Sequence, residues 1–249
     1  MSQVEQLQKL IDESKRIVFF GGAGVSTESG IPDFRSTDGL YHQKYDYPPE
    51  TILSHTFFMK KTEEFYRFYK DKMICLDAKP NAAHLKLAEL EAAGKLTAVV
   101  TQNIDNLHER AGSKSIIHLH GEVTKVRPEN CRADEEGVID IGYRDINIGD
   151  CDKNGVQLRP HIVWFGEEVP MMSAAIQAVE QADILLVIGS SLAVYPAAGL
   201  VHYTRKDCKI FLIDPKPIHI AGLNFTQIQE VASVGMEKFI EILRKNENF

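Results

Sequence analysis

No C-x-x-C pair occurs anywhere in the sequence, and the closest of its four cysteines (Cys75, Cys131, Cys151, Cys208) are the 20-residue-spaced Cys131 and Cys151. The strongest zinc signature is therefore missing, and so few cysteines in 249 residues do not make a disulfide scaffold. An excess of positive charge is missing too. The 28 Lys+Arg face 35 Asp+Glu, which leaves no basic footprint for nucleic acid. Long apolar runs are absent: Ile184–Ile188 is typical, far short of the ~20 residues that cross a bilayer. The opening MSQVEQLQKLIDESKR is polar and mildly acidic, unlike a signal or transit peptide. These absences predict a soluble, reduced, cytoplasmic protein with no nucleic-acid or membrane partner. Oligomeric state is not readable.

What is present reads as alternating strands and helices. Val4, Leu7, Leu10 and Ile11 predict an amphipathic first helix. Arg16–Phe20 is a short apolar run stopped by Gly21-Gly22, and similar runs recur at Leu96–Val100, Ile116–Leu119, Ile162–Phe165, Ile184–Ile188 and Ile210–Ile213. Uninterrupted apolar runs of this length read as strands buried on both faces of a parallel sheet. The stripes Ala83, Leu87, Leu90 and Met236, Phe239, Ile240, Leu243 predict helices between or after them. The fold class is therefore α/β, a parallel sheet with helices on both faces. Residues 37–78, with helical spacing over Phe57–Met73, and the polar, glycine-punctuated residues 121–160 break the rhythm and predict a smaller inserted module.

The motifs fall at predicted strand ends, where open α/β sheets bind ligands. Gly22-Ala23-Gly24 lets backbone N–H groups approach a phosphate, and Ser26 and Thr27 could cap a following helix or bind phosphate oxygens. A tight strand-to-helix turn with no ligand is the alternative reading of the glycines. Thr27 stands where G-x-G-x-x-G needs its third glycine, which weakens an oxidoreductase reading. After the next strand, Gln102, Asn103 and Asp105 offer amide and carboxylate groups to a carboxamide or to ribose hydroxyls, or simply cap a turn. His120 ends IIHLHG and has the near-neutral titration that suits a general base. His118, two residues back, reads as a structural histidine, and taken in isolation His120 does too. RPHIVWFGE offers backbone for strand addition by an extended peptide, or fills a core through Trp164 and Phe165. Gly189-Ser190-Ser191 is a second small-residue turn, and Asp214 ends a strand where a carboxylate accepts from ribose hydroxyls.

Taken together, GAGVSTESGIPDFR, TQNIDNLHERAG, HLHG, RPHIVWFGE and GSSLAVYPAA, in that order, closely resemble the sirtuins, the NAD-dependent protein lysine deacylases. The likeness runs from about residue 10 to the C-terminus and is weakest over residues 122–158. It implies a Rossmann-like NAD-binding domain (1–36, 79–120 and 160–249) and a small module (37–78 and 121–159), with NAD and an acyl-lysine peptide meeting between them. It implies Gly22, Ala23, Gly24 and Ser26 at the pyrophosphate, and Asp33, Phe34, Arg35 and Tyr41 in a cofactor loop. Gln102, Asn103, Ile104 and Asp105 would form the nicotinamide and ribose pocket. Gly189, Ser190, Ser191, Asp214 and Ala232 would complete the adenosine side. The catalytic set is His120 as base, with Asn103 and Asp105 positioning the carboxamide. Val163, Phe165, Gly166 and Glu167 would meet the substrate backbone, with Tyr66 and Tyr69 at the acyl channel. Nicotinamide and O-acyl-ADP-ribose are the implied products.

Three departures from the family stand out. Most sirtuins carry two C-x-x-C zinc pairs where this chain has only Cys131 and Cys151, while a structural zinc takes four N/S ligands. The expectation is no zinc, with GYRDINIGDCDKNG holding the module through hydrogen bonds. Sirtuins that prefer succinyl or malonyl lysine carry Tyr-x-x-Arg; here Tyr66 is followed by Tyr69, which favours acetyl or another uncharged acyl group. Asp214 stands where the family usually has Asn. Transfer of ADP-ribose to protein, NAD hydrolysis, and non-catalytic sensing of NAD or ADP-ribose are the competing functions.

Overall fold

The computed structural model describes residues 16–34, 39–42, 45–132 and 137–245. The helix expected over Val4–Ile11 lies outside them.

The chain enters strand β1 (Ile17–Gly21) and then two single-turn 3-10 segments, Ala23–Val25 and Thr27–Ser29. Helices α1 (Pro49–Ile52), α2 (His55–Lys60), α3 (Thr62–Lys72) and α4 (Ala82–Ala92) precede β2 (Leu96–Thr101). Next come α5 (Leu107–Ala111), β3 (Ile116–His118), β4 (Gly121–Pro128), β5 (Ile139–Asp140), β6 (Leu158–Ile162) and α6 (Met172–Glu180). The chain finishes through β7 (Ile184–Ile188), a 3-10 segment Ala197–Tyr203, β8 (Lys209–Ile213), β9 (Thr226–Ile228) and α7 (Ala232–Lys245).

Six strands form a parallel sheet in the order β3-β2-β1-β7-β8-β9. The chain runs outward from β1 to β3 and returns to β7 on the other side of β1. That reversal is a topological switch point, and the crevice outside the strands' carboxyl ends there is the place for a ligand. Burial on both faces explains the uninterrupted apolar runs. In β1, Ile17 and Phe19 join Leu87 and Leu90 of α4 and Met236 and Phe239 of α7. Val18 and Phe20 face the opposite way, towards Ala175 and Val179 of α6 and towards Leu200. At roughly 25 cal/mol per Å² of apolar surface, these two layers supply the main stabilisation of the sheet.

Three expectations need correction. Ile162–Phe165 is not a strand of the parallel sheet. β6 ends at Ile162 and pairs antiparallel with β4 in a separate sheet, β5-β4-β6. Residues 121–160 also carry more strand than their polar composition predicts, because β4 alone runs for eight residues. A third core of aromatic residues (Phe57, Phe58, Phe65, Tyr66, Tyr69, Trp164) joins α2 and α3 to this second sheet. Tyr66 and Tyr69, expected at the acyl channel, are buried in this core together with Phe57, Phe58, Phe65 and Phe68.

Candidate active site

The turns after β1, β2, β3, β7 and β8 converge on one cavity of about 770 Å³. Close approach of backbone builds it. Gly24 N–H donates to Gly189 O at 2.9 Å, and Gly22 N–H to Ile188 O at 3.1 Å. A Cβ on Gly24 would sit 2.6 Å from Gly189 Cα, and one on Gly22 would sit 2.7 Å from Gly189 O. Only glycines allow this approach, and it spends the Gly22 and Gly24 N–H groups on Ile188 O and Gly189 O rather than leaving them, as expected, for a phosphate. The turn does not lead straight into an α-helix as expected, but into the two 3-10 turns.

Ser26 is fully buried and binds inward. Its hydroxyl donates to Asp105 Oδ2 at 3.0 Å and accepts from Asn103 Nδ2 at 3.0 Å. Asp105 Oδ1 accepts from Leu107 N–H at 3.0 Å, starting α5. Burial raises the Asp105 carboxyl above its ordinary range, against the Leu107 and Ser26 hydrogen bonds that lower it. Gln102 Nε2 donates to Ser190 Oγ at 2.9 Å, so the β2 and β7 turns are tied across β1.

His120 follows β3, and its position is set by a backbone constraint. Gly121 has φ +78° and its missing Cβ would fall 2.0 Å from His161 O, so β4 and β6 close directly behind the histidine. His120 Nδ1 lies 3.0 Å from Gln102 O. A carbonyl only accepts, so Nδ1 carries the proton and Nε2 keeps its lone pair. Burial holds the imidazole below its usual value, against the Gln102 carbonyl. The arrangement is a neutral base in a cavity wall.

The cavity is lined by Gly22, Ala23, Gly24, Ser26 and Asp33 with Phe34 and Tyr41 from the first loop, and by Gln102, Asn103, Ile104, Asp105 and His120. Val163, Phe165, Gly166 and Glu167 line it on one side, and Gly189, Ser190, Ser191, Asp214 and Ala232 on another. Arg35 lies outside the described residues. Tyr66 and Tyr69 are elsewhere. The Tyr66 hydroxyl donates to Leu158 O and the Tyr69 hydroxyl to Val123 O, both inside the aromatic core. Glu167 reaches the cavity, but its carboxylate is held by Arg159 at 2.6 and 3.0 Å and by Trp164 N–H at 2.8 Å.

One residue of this network escaped the motif reading. His84 is fully buried, with Nε2 3.5 Å from Ser26 Oγ and Nδ1 3.0 Å from Asn81 Oδ1. Burial pushes its pKa down to about 4, so it is neutral at pH 7. The available signal was Asn81, whose side chain caps α4 and places His84 in the first turn.

The interval between β4 and β6 does not, among its described residues, bring four ligands for a zinc ion together. Its cysteines are Cys131 and Cys151, and neither belongs to the one group of three potential ligands found among the described residues, Glu109, His118 and Glu122. A side-chain amide stands at the centre of this loop instead. Gln157 Nε2 lies 3.0 Å from each of the carbonyls of Asn147, Asp150 and Leu158, and 3.1 Å from the Tyr66 hydroxyl. Its Oε1 accepts from Gly149 N–H at 2.8 Å.

Comparison with known proteins agrees with this geometry. A family model described as the Sir2 family matches residues 22–196. The chain is 49% identical over 221 residues to an NAD-dependent protein deacetylase of Clostridium acetobutylicum, covering 86% of this chain and 88% of that protein. It is 42% identical to an NAD-dependent protein deacylase of Bacteroides thetaiotaomicron, covering 92% and 98%. Among solved structures, a Sir2 homologue in complex with NAD superposes with a TM-score of 0.81 at 37% identity, covering 98% of this chain and 95% of that one.

Proposed function

This chain belongs to the Sir2 family and is an NAD-dependent protein deacylase, and we propose the following roles for the residues of its cavity. NAD is consumed as co-substrate, supplying the ADP-ribosyl group that receives the acyl chain. The NAD-binding unit is drawn from 1–36, 79–120 and 160–249, which hold all six strands of the parallel sheet, and residues 37–78 and 121–159 supply the small module, whose sheet reaches into the last stretch through β6. The Gly22–Ser26 turn takes the pyrophosphate, and Gly189, Ser190, Ser191, Asp214 and Ala232 take the adenosine. Asn103 and Asp105, tied through Ser26, hold the nicotinamide carboxamide and its ribose. Phe34, in the cavity wall, excludes water from the reacting carbon.

The observation that carries this reading is His120. Its Nδ1 is committed to the Gln102 carbonyl, so Nε2 is the atom that takes a proton from a ribose hydroxyl. The peptide runs along Val163–Gly166. The N–H groups of Val163 and Phe165 already donate to His120 O and Leu53 O, so the carbonyls of this edge and Gly166 are what it offers a substrate backbone. Among the described residues no arginine lines the cavity, and Lys72 there pairs with Asp71 at 2.9 Å. Apolar Ile104 and Val163 also line the cavity. An uncharged acyl group, acetyl first, is the substrate proposed. Four cysteines without a disulfide support a cytoplasmic setting, and no helix among the described residues is long and apolar enough to cross a membrane.

A panel of acetyl-, butyryl- and succinyl-lysine peptides with NAD tests this by nicotinamide release and product mass. Acetyl-lysine should release nicotinamide and yield O-acetyl-ADP-ribose. ADP-ribose attached to protein, or a preference for succinyl-lysine, would replace this reading.

We also propose that the small module needs no zinc, because Gln157 does the joining. The purified chain should contain well under one zinc, and excess EDTA should leave its melting curve unchanged, unlike zinc-dependent folds that chelators unfold. Gln157→Ala should cost about 0.5–1.5 kcal/mol, the net worth of an ordinary hydrogen bond, because the carbonyls of Asn147, Asp150 and Leu158 keep the Asp150 N–H, the Leu158 N–H and the Tyr66 hydroxyl as donors. One tightly held zinc per chain would overturn the proposal.

A further inference from the structure

The histidine set aside as structural is placed to control the cofactor turn. His118 lies on β3 opposite Thr101 of β2, outside the cavity lining, with its side chain 10% exposed. Its Nδ1 is 3.3 Å from the backbone carbonyl of Asn103 and its Nε2 is 2.6 Å from Glu109 Oε1. The two partners stand at either end of one turn. Asn103 begins the loop that carries the site's amide and carboxylate, and Glu109 lies on α5, which that loop enters.

Both partners accept hydrogen bonds. A carbonyl has no proton to give, and the Glu109 carboxylate is held below its usual range by His118, against its own burial. A neutral imidazole has one N–H and satisfies only one of them; the imidazolium satisfies both. The charged and titratable groups around the ring agree with this. Glu109 faces it from α5 and Glu122 from β4, the latter paired with Lys125 at 2.5 Å. Asp105 and His108 also feel its charge. Burial alone would lower the pKa of His118, but Glu109 and then Glu122 and the Asn103 carbonyl outweigh it and raise it.

We propose that His118 and Glu109 form a clamp that fixes the Gln102–Asp105 turn and thereby sets the affinity for the nicotinamide half of NAD without touching it. His118 is thus a positioning residue. The inference rests on the reading above that Asn103 and Asp105 receive nicotinamide and its ribose. ADP-ribose keeps that ribose but lacks nicotinamide, so a clamp that acts through the carboxamide contact weakens NAD more than ADP-ribose, whereas a merely structural histidine weakens both alike.

Calorimetric titration of NAD and of ADP-ribose into wild type, His118→Ala, His118→Gln, Glu109→Gln and Asn103→Ala, without peptide, tests it. His118→Ala and Glu109→Gln should weaken NAD about tenfold, equivalent to about 1.4 kcal/mol, and leave ADP-ribose within about twofold. His118→Gln keeps a donor and should recover part of the loss. The clamp needs the protonated ring, so wild-type NAD affinity should be complete at low pH and fall as pH rises through the raised His118 pKa, while His118→Gln stays flat. Equal weakening of both ligands, no weakening of NAD, or a flat wild-type profile overturns the clamp. If Asn103→Ala leaves NAD affinity intact, the assignment of Asn103 has failed and the clamp with it; if it weakens NAD while His118→Ala does not, the clamp alone has failed.

Discussion

His120→Ala should lose ~10²–10⁴-fold in turnover, the usual contribution of a positioned general base, while NAD affinity changes less than about threefold. The two effects separate because the Gly22–Gly24 and Gly189 turns hold each other without His120, and the Gln102–Asp105 turn keeps its ties to Ser190 and Ser26 when the Nδ1 contact to Gln102 O is lost. Circular dichroism melting confirms that the variant is folded, which is expected because Gly121, not the imidazole, sets the backbone behind it. The wild-type pH profile adds an independent measurement. A base acts deprotonated, and burial holds His120 below the ordinary 6.5. The acid limb of kcat/KM should therefore lie below pH 6.5. Deacylation by His120→Ala near the wild-type rate would remove the residue from the mechanism.

The second large effect is on stability. Arg159 is 2% exposed, its guanidinium centre 3.1 Å above the Trp164 ring, and its charge is answered by Glu167. Burial lowers the arginine's pKa despite that partner, which marks the cost of keeping the ion there. Glu167→Gln keeps the shape and the acceptor for Trp164 N–H, so it removes little besides the charge. Breaking a buried pair from one side costs roughly 3–5 kcal/mol, because the other ion stays buried without compensation. Urea unfolding should register a loss of about 3 kcal/mol at unchanged m-value. The sign with pH follows. Arg159 keeps Glu167 below its ordinary 4.5 in spite of burial. Its contribution is present above that value and fades as pH falls through the depressed native pKa. A loss below about 0.5 kcal/mol, the scale of an exposed pair, would mean that solvent already reaches this ion pair.

The parallel sheet was legible because its strands are buried on both faces and so read as unbroken apolar runs; Ile184–Ile188 coincides with β7 residue for residue. The cavity turns were legible for a related reason. Strands that end abruptly in glycine or polar residues mark a sheet edge, and the switch point gathers those edges. The second sheet was obscure because β4 mixes Glu122, Lys125 and Arg127 with its apolar residues, and β6 contains Pro160. Tyr66 and Tyr69 share a helical stripe, and spacing alone does not tell an aromatic core from a channel wall; their hydroxyls, spent on Leu158 O and Val123 O, do. His84 was invisible because it enters the site through space, across 58 positions from Ser26.

The Gln157 amide has a consequence for the conditions under which this fold holds. Its partners are three carbonyls, an N–H and a phenol, none of which titrates between pH 5 and 9. Thiolate-bound zinc joins a fold to the cell's metal supply and exposes it to peroxide, because the ligand sulfurs oxidise. An amide at the centre of the loop separates the module from both. On the zinc-free reading proposed above, metal withdrawal and oxidation of ligand sulfurs would leave this part of the molecule in place.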